Sequence, residues 1–224
     1  MRTDSAVPRG TPGRPPGPQP AKRQAILDAA VAVFLREGYQ RASVDAIACA
    51  AGVSKQTVYN HFGDKERLFM AAVEGERQRV ATDFAADRRD PDQPADPYET
   101  DGLDATAALT AFGHRVLRVL LDERASALRR LVIAEVARHP SLRPACTEGE
   151  PRQLVERLAE LLRRRHEHGE LDVPEPEVGA GQFVALLVQQ GLHRSMYGTR
   201  ALAGPEADAI CEAAADLFVR AYRR

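Results

Sequence analysis

The chain has 224 residues, a formal net charge of −1 and an apolar fraction of 44%, enough to build a hydrophobic core as one large domain or two small ones. A charge so near zero excludes nucleic-acid binding through bulk basicity, so any such function has to sit on a local surface. No run approaches the roughly 18 apolar residues that cross a bilayer, and the Pro/Gly-rich N-terminus lacks an apolar signal core, so cytoplasmic residence without a membrane partner is the expectation.

The three cysteines, Cys49, Cys146 and Cys211, are odd in number and far apart, which indicates neither a disulfide framework nor a zinc site. Alanine, leucine and arginine abound, and no stretch alternates apolar and polar residues for long. The expected fold is all-α, with about nine helices.

Residues 1–20, MRTDSAVPRGTPGRPPGPQP, read as a flexible arm that cannot bury enough apolar surface to fold alone. Its arginines, Arg2, Arg9 and Arg14, would suit a minor groove, although a tail without a role fits the composition better. Helical periodicity begins near Lys22, with Ile26, Leu27, Ala30, Val33 and Phe34 as one stripe and Gly38 placed to end the helix after Glu37. Ser43 is an N-cap for a helix running to about Ala51, and Gly52 stops it. Ser54 caps a short third helix through His61, and Gly63-Asp64 closes that helix and opens a long fourth one carrying Leu68, Phe69, Ala72, Val73 and Val80. Residues 87–102, rich in proline and acids, read as an exposed loop. Further helices are expected at about 103–121, 124–138, 150–168, 176–198 and 206–223.

A helix, a tight glycine turn and a short second helix with a polar outer face form the layout of a helix-turn-helix, whose second helix enters the DNA major groove. Val53, Val58 and Phe62 are placed to pack on Ile47, Phe34 and Leu68. That packing would hold the opposite face of VSKQTVYNHF rigidly outward.

The segment GYQRASVDAIACAAGVSKQTVYNHFGDKERLF, residues 38–69, resembles the N-terminal DNA-binding region of the TetR family of transcriptional regulators. The similarity lies in the Gly-Tyr after helix one, the Thr-Val-Tyr-x-His-Phe of the recognition helix and the Lys-Glu-x-Leu-Phe that opens helix four. It is close over residues 22–69, and LRRLVIAEVARHPSL at 128–142 is similar to the C-terminal region of some members. The resemblance implies a helix-turn-helix DNA-binding domain at 21–67 and a helical ligand-binding and dimerisation domain at 68–224. It also implies a homodimer packed through the last two helices, double-stranded DNA with an inverted repeat as partner, and a small-molecule effector. An all-α enzyme is the competing class, but the sequence shows no Ser or Cys nucleophile beside a base, no carboxylates clustered on one helix face and no Gly-rich phosphate loop, so neither enzymatic activity nor a cofactor is expected.

Residue by residue, the resemblance implies phosphate contacts from Tyr59, His61 and Lys65, with the hydroxyls of Ser43 and Thr57 at the edge. Lys55 and Gln56 at the start of the recognition helix are the base readers, because lysine can donate to guanine O6 and N7 and glutamine can pair with adenine through two hydrogen bonds. Asn60 shares their exposed face. Candidate effector contacts on the middle helices are Phe112, His114, Arg118, Gln189, His193, Met196 and Tyr197. The small residues Gly179, Ala180 and Gly181, and the apolar set Ile210, Ala213, Ala214, Leu217, Phe218 and Ala221, suggest burial against a partner subunit as well as within the chain.

Two further motifs argue for less. His166-Glu167-His168 places its histidines on different helix faces and reads as a solvated helix end, so no metal is expected. Cys49 is expected to be a small buried residue of the motif's first helix. A second reading of the first 69 residues is an architectural DNA-binding protein without a sensing role. The large second domain argues against it.

Overall fold

The computed structural model describes residues 19–86, 103–143 and 152–223, and among these residues there are nine α-helices and one short 3-10 turn. The helices are α1 (Gln19–Arg41), α2 (Val44–Ala51), α3 (Lys55–Phe62), α4 (Lys65–Ala86), α5 (Ala105–Leu120), α6 (Glu123–Glu135), α7 (Arg152–Glu167), α8 (Pro176–Arg194) and α9 (Gly204–Tyr222), with the turn at Pro140–Leu142. The arm before Gln19, the 87–102 loop and Cys146 lie outside the described residues. No described helix is long and apolar enough to cross a membrane.

The chain punctuation works as the residue chemistry dictates. Gly38 takes φ 77°, which breaks α1 and leaves Tyr39 to Arg41 as a separate final turn. Asp104 and Asp122 cap α5 and α6 by accepting from the amides of Ala107 and Ala125 at 2.8 and 2.9 Å. The pairing of Leu171 with Arg223 clips the segment after α7 to the end of α9.

Two cores result. One joins α1 to α4 through Ile26, Leu27, Phe34, Ile47, Val58, Phe62, Leu68 and Phe69, and it also takes in Leu128, Val132 and Leu142 from α6 and the turn beyond it. Phe34 and Phe69 meet edge to face with centroids 4.8 Å apart, and both are fully buried. Each such burial contributes roughly 1.5–3 kcal/mol, and the ring pair about 0.5–1.5 kcal/mol more. The other core is built by α5, α7, α8 and α9 around Phe112, Leu158, Phe183 and Phe218. The first core therefore extends past residue 67 into Leu68–Val73 of α4 and onto α6.

Between the cores, α4 carries a buried carboxylate, Glu76, that is 5% exposed. It accepts from Arg79 Nε at 2.7 Å and lies 3.3 Å from Arg124, while Arg79 reaches Asp122 at 2.9 Å. Because Asp122 is also the cap of α6, this network ties the middle of α4 to the start of α6. The neighbouring carboxylates raise the Arg79 pKa, with the Glu76 hydrogen bond as the largest cause.

The structure corrects the expectation for Cys49, which is exposed. Val44, Ile47 and Ala48 supply the buried face of α2, and Cys49 sits one turn from Asp45 on the opposite side. Cys211 is buried, and that burial pushes its thiol up to about 12. Of the small residues that open α8, Gly179 serves internal packing, since a Cβ there would meet Val173 and Phe218 of the same chain at 3.1 and 3.3 Å, whereas a Cβ on Gly181 would meet open space. His166 likewise has an internal duty, accepting from the Val173 amide at 3.1 Å.

Candidate nucleic-acid interface

The recognition helix is set by its caps and two anchors. Ser43 Oγ accepts from Ala46 N at 3.1 Å and starts α2, and Gly52 ends it at φ 65°. Ser54 Oγ accepts from Thr57 N at 3.1 Å and starts α3, and Gly63 ends that helix at φ 83°. Two positive-φ glycines bracketing ten residues, of which eight form the helix, explain why α3 is short and held at a fixed angle to α2. Val58 and Phe62 are buried. Lys55, Gln56, Tyr59 and Asn60 face solvent, with Thr57 and His61 half-buried between the two sides.

The exposed face is organised before any partner arrives. Gln56 donates to Asn60 Oδ1 at 2.9 Å, so the two amides stack one turn apart. Lys55 Nζ lies 2.7 Å from Asp45 Oδ2 on α2, and this hydrogen bond is the main cause of its raised pKa. Both groups are exposed, so the pair is weak and can yield to a stronger acceptor. Ser54 and Thr57 share a hydroxyl contact at 2.8 Å. The phenol of Tyr59 is the largest outward group on the helix, 38% exposed.

Lys65 departs from the expected pattern. Its ammonium donates to the carbonyls of Tyr39, Ala42 and Gln40 at 2.9, 3.2 and 3.3 Å and lies 4.6 Å from the centroid of the Tyr39 ring. Lys65 thus holds the turn between α1 and α2, and a phosphate contact would have to compete with three backbone acceptors. Sequence reading also missed Asp45, whose pairing with Lys55 spans ten residues, and Arg23, whose guanidinium stands 5.3 Å over the Phe62 ring at the end of the recognition helix. Neither spacing has a sequence signature.

The seven effector candidates do not form one site. Phe112 is part of the second core at 3% exposure. His114 is half-buried and lies 3.5 Å from Asp208. Gln189 and His193 contact each other at 3.1 Å on the outer side of α8, and the His193 and Tyr197 rings lie 6.2 Å apart. Met196 and Tyr197 are exposed at positive φ, and Arg118 is exposed on α5. Among the described residues, a half-open pocket of about 290 Å³ lies between α1 and α4, lined by residues that include Arg23, Leu27, Glu74 and Gln78. None of the seven lines it.

A capped, pinned helix presenting amides, a lysine and a phenol on one rigid face is that of a helix-turn-helix DNA-binding regulator. Comparison with known proteins agrees. Residues 26–72 match the tetR family of bacterial regulatory proteins, and residues 107–224 match the AefR-like transcriptional repressor C-terminal domain. The chain belongs to the TetR family, whose members are DNA-binding transcription regulators and not enzymes.

Among its relatives, the HTH-type transcriptional repressor AcnR of Corynebacterium efficiens is 41% identical over 59 residues, 26% of this chain and 31% of AcnR. The match thus spans about a third of that repressor's length. The crystal structure of a TetR-family regulator from Mesorhizobium loti superposes with a TM-score of 0.76 at 27% identity, covering 92% of this chain and 98% of the other. The flavonoid-responsive regulator FrrA superposes with a TM-score of 0.68 at 28% identity, covering 91% and 98%.

Proposed function

We propose that this chain is a dimeric, cytoplasmic repressor that holds an inverted-repeat operator through α3 of each subunit and is released by a small-molecule effector. The observation that carries the proposal is the rigid polar face of α3. Lys55 and Gln56 stand at its exposed start as base readers, with Asn60 one turn on. Tyr59 and His61, with the hydroxyls of Ser43 and Thr57, are the phosphate contacts. Lys65 acts beneath them as a positioning group.

Dimerisation is supported by the outer sides of α8 and α9. Val178 and Leu186 on α8 and Leu217 on α9 are 49%, 36% and 55% exposed. Ala209, Ala213 and Ala221 continue the α9 stripe at helical spacing, also exposed. The inner residues, Ile210, Ala214 and Phe218, are occupied by the chain's own core. This splits the apolar set of α9 into an intramolecular half and a half left for a second subunit.

Effector release requires a ligand that binds the DNA-incompetent state more tightly than the DNA-bound one. The Glu76–Arg79–Asp122 network offers the mechanical link, since a ligand that moves α5 or α6 would pull on α4. FrrA, as a flavonoid-responsive relative, supports the reading that a small molecule acts on the effector domain.

The test is Leu217→Glu, followed by native mass and by DNA titration. A charge on the paired face should give a monomer, and loss of bivalent binding should cost about 100-fold in affinity for an inverted repeat. A variant that stays dimeric would overturn the assignment of this face.

A further inference from the structure

α6 reaches the DNA-binding half directly. Glu135, at the end of α6, is 8% exposed and accepts from Gln40 Nε2 at 2.6 Å. The same Gln40 nitrogen lies 3.3 Å from His139 Nε2, and the His139 ring meets the Tyr39 ring edge to face at 5.0 Å. Below them Leu128, Val132 and Leu142 complete the core of α1 to α4. A buried carboxylate needs a donor, and the neutral amide of Gln40 supplies one hydrogen to it and a second toward the imidazole.

Gln40 sits in the turn after the Gly38 kink, three residues before the Ser43 cap of α2. Lys65 grips the same turn through the carbonyls of Tyr39, Gln40 and Ala42. Any displacement of α6 relative to α1 is therefore delivered to α2 and through it to α3. The Leu128, Val132 and Leu142 packing and the Glu76–Arg79–Asp122 network already join α6 to this half, and the Gln40 contact adds a directional polar link from α6 to the turn that opens α2.

We propose that Gln40, Glu135 and His139 are positioning residues that lock the angle of the reading helices against the effector domain, and so set the half-site spacing the protein accepts. The proposal rests on the reading of the protein as a dimer on an inverted repeat. One base pair adds about 3.4 Å along the duplex. A lock that holds each recognition helix to less than that distance lets the dimer reject an operator one base pair too long, and a loosened lock does not.

The experiment uses the full chain and the inverted repeat recovered from a random duplex pool, with copies whose central spacer is one base pair longer or shorter. Gln40→Glu faces one carboxylate with another and should reduce the preference for the natural spacing by about tenfold. The exchanged pair Gln40→Glu with Glu135→Gln restores a donor facing an acceptor and should recover most of that preference. Thermal midpoint and native mass confirm that the variants are folded dimers. Should Gln40→Glu fail to fold, Gln40→Ala, which only deletes the amide, should still lose about fivefold.

Amide hydrogen exchange gives a readout without DNA. Residues 39–44 and 135–142 should exchange about tenfold faster in Gln40→Glu while α8 and α9 do not change. Unchanged spacing preference and unchanged exchange would overturn the lock, and so would a loss that the exchanged pair fails to restore. A chain that selects no inverted repeat, yet shows the coupled exchange, keeps the lock and overturns the operator reading instead.

Discussion

Replacing Lys65 with methionine separates a structural duty from a DNA contact. The shortest of its three carbonyl contacts is 2.9 Å and the other two are 3.2 and 3.3 Å, so the set is counted as one full charge-assisted hydrogen bond and two weak ones. Such a bond contributes about 1.5–3 kcal/mol net, and the stacking on Tyr39 adds about 0.5 kcal/mol or more. Methionine keeps the aliphatic stem, so the loss should be about 2–3 kcal/mol, or about 4–12 °C in Tm for a chain of this size. The assay is thermal and urea unfolding of the variant beside a titration of non-specific duplex at several salt concentrations. A phosphate-contacting lysine would instead leave Tm unchanged and reduce the slope of log K against log salt by about 0.9 per contact. An unchanged Tm together with that smaller slope would refute the structural reading.

Four other variants probe separate parts of the molecule. Lys55→Ala should flatten base preference at one operator position by about 1–3 kcal/mol, whereas Asp45→Asn, which releases Lys55 and removes a negative charge beside the DNA face, should raise affinity on every duplex in a competition titration. Gly113→Val should lower stability by about 1–3 kcal/mol in urea unfolding, because even a Cβ there meets Cys211 Sγ at 3.1 Å and Leu187 at 3.3 Å. Glu206 is held at about 2, first by its hydrogen bond from Arg200 and then by the Ala203 amide. A depressed carboxylate stabilises above its unfolded pKa and loses that contribution as pH falls through the folded value. Stability measured between pH 5 and pH 2 should therefore fall less steeply in Glu206→Gln than in the unaltered protein.

The elements that sequence reading placed best are those fixed by local chemistry. Ser43 and Ser54 act through a hydroxyl that reaches an amide three residues on, and Gly52 and Gly63 through their own positive φ, so the boundaries of α2 and α3 follow from residue type alone. The anchors Val58 and Phe62 were legible for the same reason, through helical spacing. Cys49 was misplaced because its size suits either face of α2, and the choice depends on where Val44, Ile47 and Ala48 already point.

What was not legible depends on contacts between distant residues. Lys65 lies beside a polar helix and looks like a phosphate ligand until Gly38 bends α1 and turns three carbonyls toward it. Gln40 and Glu135 are 95 positions apart, and nothing in either neighbourhood announces their 2.6 Å contact. The effector candidates share a chemistry and not a location, and they scatter over the core, the outer sides of α5 and α8 and the turn after α8. The exposed half of α9 became visible only when Ile210, Ala214 and Phe218 were seen to fill the core.

The central claim is that two copies of α3 read an inverted repeat, and the most direct measurement is selection of bound duplexes from a random pool with the mass of the complex recorded on the same sample. The account predicts enrichment of an inverted repeat whose half-sites lie about one helical turn, roughly 34–36 Å, or a multiple of it apart, bound by an even number of chains. Recovery of single half-sites by a monomer, or no enrichment even at low salt, would contradict it.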